Sequence, residues 1–159
     1  MSISDLIVVM RDGVVNQIGK PQEVYDDPAN LFVAKFLGTP PINVFDGTVK
    51  SEKLYIGGAE VLSVPGAPDG DVYVGIRPEG FIRDNKGGLK CKLERVEVMG
   101  RDISIVSTHE SSQNANVRSI IDADERPDDG ADEVFFSLKP TKVHLFDKNT
   151  EMRVRFETK

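Results

Sequence analysis

The feature that most constrains the fold of this chain is a long succession of short β-type runs after Thr39-Pro40-Pro41. Each run is rich in Val, Ile, Leu, Phe or Tyr and is bounded by Gly, Pro, Asp or Asn, a pattern typical of strands joined by turns. No convincing helical period interrupts them. The predicted strands are residues 44–49, 53–57, 59–64, 71–76, 89–98, 102–108, 117–122, 133–139 and 143–146.

Many short strands leave exposed sheet edges unless the sheet closes on itself. Closure pairs the N–H and C=O groups that an open edge would offer to other chains. We therefore expect a mainly β fold, an OB-fold-type antiparallel barrel in simple, doubled or elaborated form. We assign it to residues 41–159 and expect it to stand alone as a domain.

The start of the chain predicts a β-hairpin. Residues 6–10 and 14–18 are apolar or alternating runs, and Asp12-Gly13 between them suits the positive φ angles of a tight turn. Two strands alone are marginal in water, so we expect this hairpin to belong to a larger sheet whose other strands lie elsewhere.

Two short helices are predicted between the hairpin and the barrel. Pro21 suits the first turn of one helix, which ends before Pro28, and Asn30 is the expected cap of a second helix that runs to Gly38. The second helix is so apolar that it must pack on something. The prolines after it end the helix, so we place a domain edge near Pro41 and treat residues 1–40 as a separate unit.

Composition narrows the function. The net charge of -6 and the pI near 5.0 repel polyanions, and a chain with no Trp and three Tyr lacks the stacking residues of a nucleic-acid groove, so nucleic acid is excluded as a partner. The single cysteine and the lack of a signal-type start predict a reducing, cytoplasmic setting. No run approaches the ~20 apolar residues of a membrane-spanning helix.

Local motifs for nucleotide and calcium binding fail on spacing. Between Gly13 and Gly19-Lys20 there are five residues, whereas a Walker A loop needs four and then Ser or Thr, and Pro21 follows here. We therefore interpret this segment as a strand. The acidic run 122–130 does not match a calcium loop, since Arg126 takes a ligand position, and we interpret it as a solvated hairpin tip.

The residues that could ligate zinc are isolated from one another. His109 and His144 lie in separate strand contexts without a Cys or a second His at ligand spacing, so we expect each to be exposed or hydrogen-bonded. Cys91 alternates with lysines and is predicted to face the core. We also find no Gly-x-Ser-x-Gly nucleophile elbow, and we predict neither catalytic nor metal-binding residues.

One turn is a candidate functional feature. A predicted strand ends in Gly75-Ile76-Arg77-Pro78-Glu79, where the proline fixes φ and two opposite charges stand two residues apart. The turn is either an ion-paired corner or a binding site. Gly75, Arg77, Pro78 and Glu79 are therefore the candidate regulatory or ligand-contact residues.

The order of these segments resembles the carboxyl-terminal part of the ATP-binding subunits of ABC importers, closest to the maltose and sugar-importer class. Residues 4–13 (SDLIVVMRDG) and 17–25 (QIGKPQEVY) resemble the end of the nucleotide-binding domain, and residues 28–38 (PANLFVAKFLG) are nearly the family phrase. Residues 75–79 (GIRPE), 97–100 (EVMG) and 143–147 (VHLFD) resemble the transport-associated OB domain, called TOBE. The resemblance covers essentially the whole chain.

This resemblance implies that residues 1–40 are the last part of a nucleotide-binding domain and residues 41–159 a TOBE regulatory domain. In the family the Walker A, signature and Walker B motifs and the switch histidine all precede the hairpin, so the fragment is expected to be no enzyme and to hold no cofactor. The intact parent would be an ATPase using ATP and Mg. Gly80 departs from the family, which often has histidine there.

The resemblance also implies partners. We expect a homodimer through the barrel, transmembrane permease subunits reached through the intact parent, and a regulatory protein as a further candidate. The complex would lie on the inner face of the cell membrane, and carbohydrate is the expected cargo. The alternative is a domain that senses an oxyanion or a sugar, with Arg77 and the backbone near Gly75 as contacts.

Overall fold

The computed structural model describes residues 6–38, 40–127 and 130–158, and it confirms the expected mainly β fold with a hairpin and two short helices at the start. Expectations that fall on residues 1–5, Thr39, Asp128, Asp129 and Lys159 lie outside the described residues. The helices are α1 (Pro21–Asp26) and α2 (Leu31–Phe36). The strands are β1 (Ile7–Arg11), β2 (Val14–Gly19), β3 (Asn43–Lys50), β4 (Lys53–Ile56), β5 (Ala59–Ser63), β6 (Gly70–Ile76), β7 (Phe81–Arg83), β8 (Leu89–Met99), β9 (Asp102–Thr108), β10 (Val117–Asp122), β11 (Glu133–Leu138), β12 (Val143–Asp147) and β13 (Arg153–Val154).

Two antiparallel sheets form the β-domain. One has five strands in the order β10-β9-β8-β11-β7, and its outer strands β7 and β10 approach each other, so it is a nearly closed barrel. The other has six strands in the order β13-β12-β6-β3-β4-β5. The OB-type barrel predicted from sequence is therefore present, and the six-stranded sheet is its elaboration.

A shared apolar core lies between the two sheets. Phe45 and Ile76 of the six-stranded sheet and Leu89 and Ile105 of the five-stranded sheet belong to one buried cluster. Cys91 belongs to it as well and is 1% exposed, which confirms its predicted inward orientation. Burial raises the pKa of its thiol to about 11, so this cysteine stays protonated.

A buried asparagine joins the sheets at the free edge of β10. The side-chain Nδ2 of Asn43 donates to the carbonyl oxygens of Ile76 (3.1 Å) and Arg118 (2.9 Å), while its Oδ1 accepts from the N–H of Arg118 (2.9 Å). The amide side chain thus pairs with β10 as a neighbouring strand would, and it satisfies backbone groups that burial would otherwise leave unpaired.

Two short strands and three 3₁₀ helices were not predicted from the sequence. β7 has three residues and β13 two, too few to show a period of two, and short 3₁₀ helices occur at Pro78–Gly80, Ala123–Glu125 and Pro140–Lys142. The acidic run 122–130 was wrongly predicted as a hairpin tip. It connects β10 to β11, which are separated in the sheet by β9 and β8.

Residues 6–38 form a small layer in which the hairpin lies on the helices. Asp12 (φ 52°) and Gly13 (φ 80°) make the predicted tight turn between β1 and β2. Val9 is fully buried against Val24 of α1 and Val33 of α2. The opposite hairpin face carries four apolar side chains that are about half exposed: Val8, Met10, Val15 and Ile18.

Helix α2 belongs to this layer and to the β-domain at once. Its cap is the predicted one, since Asn30 Oδ1 accepts from the N–H of Val33 (2.9 Å). Leu31 and Ala34, on another face of the helix, are buried in a cluster with β-domain residues that include Phe146. The helix therefore lies between the hairpin and the six-stranded sheet.

Candidate functional site

The candidate site is the place where strand β6 ends against the two helices. Arg77 directly follows β6, and its backbone is extended (φ -62°, ψ 147°), as expected for a residue before proline. Its long side chain is only 1% exposed. A buried arginine of this kind needs partners for its charge and its N–H groups.

The partners of Arg77 are carbonyl oxygens at the carboxyl ends of both helices. Its Nη1 donates to the carbonyl oxygens of Ala34 (3.1 Å) and Leu37 (2.9 Å), and its Nη2 donates to that of Tyr25 (2.9 Å). The last carbonyls of a helix have no partner within the helix and carry the negative end of its dipole. One guanidinium from the β-domain therefore caps α1 and α2 together.

Tyr25 holds the same turn from the helix side. The guanidinium carbon of Arg77 lies 4.0 Å from the centroid of the Tyr25 ring, a cation–π contact. The Tyr25 hydroxyl donates to the Glu79 carboxylate (2.7 Å), and Lys142 Nζ lies 3.8 Å from that carboxylate. Burial and the Glu79 carboxylate raise the pKa of Tyr25 to about 12, so the phenol remains a donor near neutral pH.

The other predicted residues complete this joint. Pro78 is buried and begins the 3₁₀ helix. Gly75 lies in β6, where a Cβ would stand 2.8 Å from Ile42 Cδ1 and 3.3 Å from Phe146 Cε2, so close packing favours glycine at this position. The structure brings Arg77, Pro78 and Glu79 together at one joint with Gly75 beneath it, and their role in regulation or ligand contact remains a prediction.

This geometry limits what the turn can bind. Burial lowers the pKa of the Arg77 guanidinium, and the nearby Tyr25 and Glu79 side chains oppose this shift. Its hydrogen bonds go to helix carbonyls, and the Glu79 carboxylate takes the Tyr25 hydroxyl instead of forming the ion-paired corner considered above. A ligand on Nη1 or Nη2 of Arg77 would have to displace the ends of the helices.

Sequence reasoning missed the partners of the turn. Tyr25 and Lys142 are separated from Arg77 by more than 50 positions, and no local spacing signals such a contact. The expectation that His144 is exposed or hydrogen-bonded is wrong at Nδ1: the residue is 2% exposed, and among the described residues this nitrogen has no hydrogen-bond partner. The expectation for His109 is confirmed, since its Nδ1 accepts from the N–H of Ser111 (3.0 Å).

Metal-binding groups and membrane-spanning helices are both absent from the part of the chain that the structure describes. Within residues 6–38, 40–127 and 130–158 no group of three His, Cys, Asp or Glu side chains could hold a metal ion. In the same ranges no helix has both the length and the apolar character to cross a bilayer.

Comparison with known proteins shows similarity along nearly the whole chain. It is 34% identical over 97% of its length to an sn-glycerol-3-phosphate import ATP-binding protein of Jannaschia sp. (strain CCS1), and 34% identical over 98% to an oligosaccharides import ATP-binding protein of Bacillus subtilis. It is 32% identical over 97% to an sn-glycerol-3-phosphate import ATP-binding protein of Chromobacterium violaceum. The chain spans only 43%, 46% and 43% of these relatives. No family model matches it.

Proposed function

We propose that the chain, a homologue of the ATP-binding proteins of ABC importers, is the carboxyl-terminal regulatory and dimerisation part of such a subunit. In this proposal residues 41–159 are the TOBE regulatory domain, and residues 1–40 are the end of the nucleotide-binding domain. The observation that carries the proposal is the Arg77 joint, because it fastens the ends of two helices from the first unit to the second.

Such a joint suits a part that must transmit movement. If the catalytic part of the parent moves when it binds ATP, helices α1 and α2 would move with it. The β-domain would follow, because Arg77 and the buried face of α2 join the helices to it directly. The exposed apolar face of the hairpin supports the same view. Val8, Met10, Val15 and Ile18 would be covered by further strands of the nucleotide-binding domain.

The chemistry of the intact parent follows as part of the proposal. The parent would bind ATP and Mg and hydrolyse ATP to drive import, whereas the 159-residue chain alone would do neither. It would reach the transmembrane permease subunits from the cytoplasmic face of the membrane. Two relatives are named for import of sn-glycerol-3-phosphate and one for oligosaccharides, so we propose a carbohydrate or a related polyol phosphate as cargo.

The dimerisation claim can be tested on the chain itself. We propose that two β-domains associate through the tip of the β8–β9 hairpin, where Val98 and Met99 are 69% and 53% exposed. Light scattering over a range of concentrations is expected to show a dimer. Replacing both residues by Glu is expected to give a monomer with unchanged circular dichroism.

The matched control is Val8→Glu, which places a charge on the other exposed apolar surface. It should leave the dimer intact. A monomer at every concentration would contradict the dimerisation role of the isolated chain. A dimer that is broken by Val8→Glu and survives the change at Val98 and Met99 would show association through the hairpin instead, and would equally overturn the proposed interface.

A further inference from the structure

A cleft of about 400 Å³ opens beside the Arg77 joint. One wall comes from helix α1 through Asp26, and the other comes from the end of the β-domain through Lys142, His144, Arg153 and Phe156. The cleft therefore lies between the two units that the joint holds together.

Two lining residues carry buried nitrogen atoms without a protein partner. Among the described residues, neither Nδ1 of His144 nor Nε of Arg153 has a hydrogen-bond partner, and His144 is 2% exposed. Arg153 is fixed from its other end, since its Nη1 donates to Asp27 Oδ1 (2.8 Å) and to the carbonyl oxygen of Pro28 (3.0 Å). Leaving such groups unpaired costs stability, and a ligand that accepts hydrogen bonds would satisfy them.

The charges around the cleft are mainly positive. Lys142 and Arg153 line it, and the Asp27 carboxylate on Arg153 is shared with Arg155. Asp26 is the carboxylate in the lining, and it accepts a hydrogen bond from Gln22 (3.0 Å). The lining thus holds two cations and one carboxylate, and the carboxylate is already hydrogen-bonded.

The charges facing His144 come from every side of the cleft. Burial, and then the cations of Arg153, Arg77 and Lys142, lower its pKa to about 3, and the Asp27 carboxylate opposes this shift. A neutral imidazole still carries one N–H group, so it can donate to an anion without bearing a charge itself.

We propose that this cleft binds a phosphoryl oxyanion, whose oxygens accept hydrogen bonds from Arg153 Nε, Lys142 Nζ and the imidazole of His144. A phosphate carries between one and two negative charges near neutral pH, and its ionised oxygens accept hydrogen bonds. The two cations and the imidazole N–H are the donors, against the one carboxylate, Asp26, in the lining. The inference does not depend on dimerisation or on the identity of the parent subunit.

Binding at this place would act on the joint. Lys142 Nζ lies 3.8 Å from the Glu79 carboxylate, which also accepts the Tyr25 hydroxyl. An anion in the cleft competes with Glu79 for Lys142. A bound anion therefore weakens the contact between Lys142 and Glu79. It also links Lys142 to Arg153, whose other hydrogen bonds reach Asp27 and Pro28 in the loop after α1.

The chain has two histidines, so His144 can report binding in the cleft and His109 can serve as the internal control. Proton NMR of the imidazole C–H signals, assigned with His144→Gln and His109→Gln, is followed while inorganic phosphate is added at pH 7 and constant ionic strength. The His144 signal should shift and saturate, and its pKa should rise because the bound anion offsets the cations around it. His109, which contacts Ser111 at another place, should not change.

Two lysine variants separate binding in the cleft from general charge. Lys142→Gln should weaken phosphate binding about tenfold or more, the weight of one charge-assisted hydrogen bond. Lys148→Gln is the matched control, because Lys148 is similarly exposed (35% against 31%) and pairs with Asp46 elsewhere. Methyl phosphate, measured in parallel, tells whether an ester or inorganic phosphate is preferred.

Several results would overturn the site. They are a linear, unsaturated shift of His144, equal shifts of both histidines, sodium chloride acting as well as phosphate at the same ionic strength, or equal losses in Lys142→Gln and Lys148→Gln. Since both lysines are partly exposed, neither variant should unfold the protein, and a thermal melt of each checks this.

Discussion

The buried His144 makes a sharp prediction about acid stability. Its ordinary pKa is 6.5, and the fold lowers it to about 3 by burial and by the nearby cations Arg153, Arg77 and Lys142. Between these pH values the imidazole of His144 is protonated in the unfolded chain and neutral in the folded chain. The free energy of unfolding therefore falls as the pH decreases from 6.5 towards 3, because protons favour the unfolded chain there.

The magnitude follows from the two pKa values. A pKa of 6.5 in the unfolded chain and about 3 in the fold gives a loss of about 2 kcal/mol between pH 8 and pH 5, and about 3 kcal/mol by pH 4, at ~1.36 kcal/mol per pH unit. Carboxylates add their own acid dependence. The contribution of His144 is therefore the difference between the natural chain and a His144→Gln variant.

Urea unfolding followed by circular dichroism, in phosphate-free buffers from pH 8 to pH 4, measures this difference. The natural chain should lose about 2 kcal/mol more than His144→Gln between pH 8 and pH 5. His109→Gln serves as the control on a less buried histidine. Parallel stability curves for the natural chain and His144→Gln, or an NMR titration that places the pKa of His144 near 6.5, would refute the reasoning.

Three further predictions concern packing and capping. Gly75→Ala should cost about 1–2 kcal/mol in urea unfolding, because the added methyl meets side-chain tips of Ile42 and Phe146 that can shift slightly. Gly88→Ala should cost more, since its methyl would overlap the rigid carbonyl oxygen of Glu60, and equal costs would contradict this ranking. Asn30→Ala should cost about 1 kcal/mol by removing the cap of α2, whereas Asn30→Ser should recover most of it.

Sequence analysis predicted strands well wherever side-chain alternation was backed by turn residues. All nine runs predicted after Pro41 are strands, and Pro21 and Asn30 marked the starts of the helices. Helix α2 ends at Phe36, two residues before the predicted Gly38. Each of these signals is local, since it lies within a few residues of the element that it defines. The ends of most strands still moved by a residue, because strands fray into turns without a chemical marker.

The candidate site could be predicted only in part. The turn at Arg77 was visible because Pro78 and two charges adjoin it, but nothing nearby indicates that the guanidinium caps helices more than 40 positions earlier. Asn43 presents the same problem, since its amide pairs with Arg118 across 75 positions. Such contacts depend on how the sheets are stacked, which local periodicity does not encode.

The orientation of His144 was missed for a similar reason. Strand β12 is buried on both faces, so alternation gives no sign of whether its histidine faces water or the core. Arg153, which β13 brings alongside β12, and Arg77 reach the imidazole only through the fold.

Arg77 fastens the helical layer to the β-domain through three hydrogen bonds to helix carbonyls. Native-state hydrogen exchange on the natural chain and on Arg77→Met tests it most directly, with the exposed Arg101→Met as the control. Methionine keeps much of the buried stem and removes the three hydrogen bonds to helix carbonyls, so the protection of α1 and α2 should fall by about 2–4 kcal/mol.

The β8–β9 amides should keep most of their protection in Arg77→Met. Arg101→Met should change neither region. Two results would contradict the role of Arg77 in holding the helices on the β-domain. One is unchanged exchange in both helices of Arg77→Met, and the other is helices that already exchange far faster than the barrel in the natural chain.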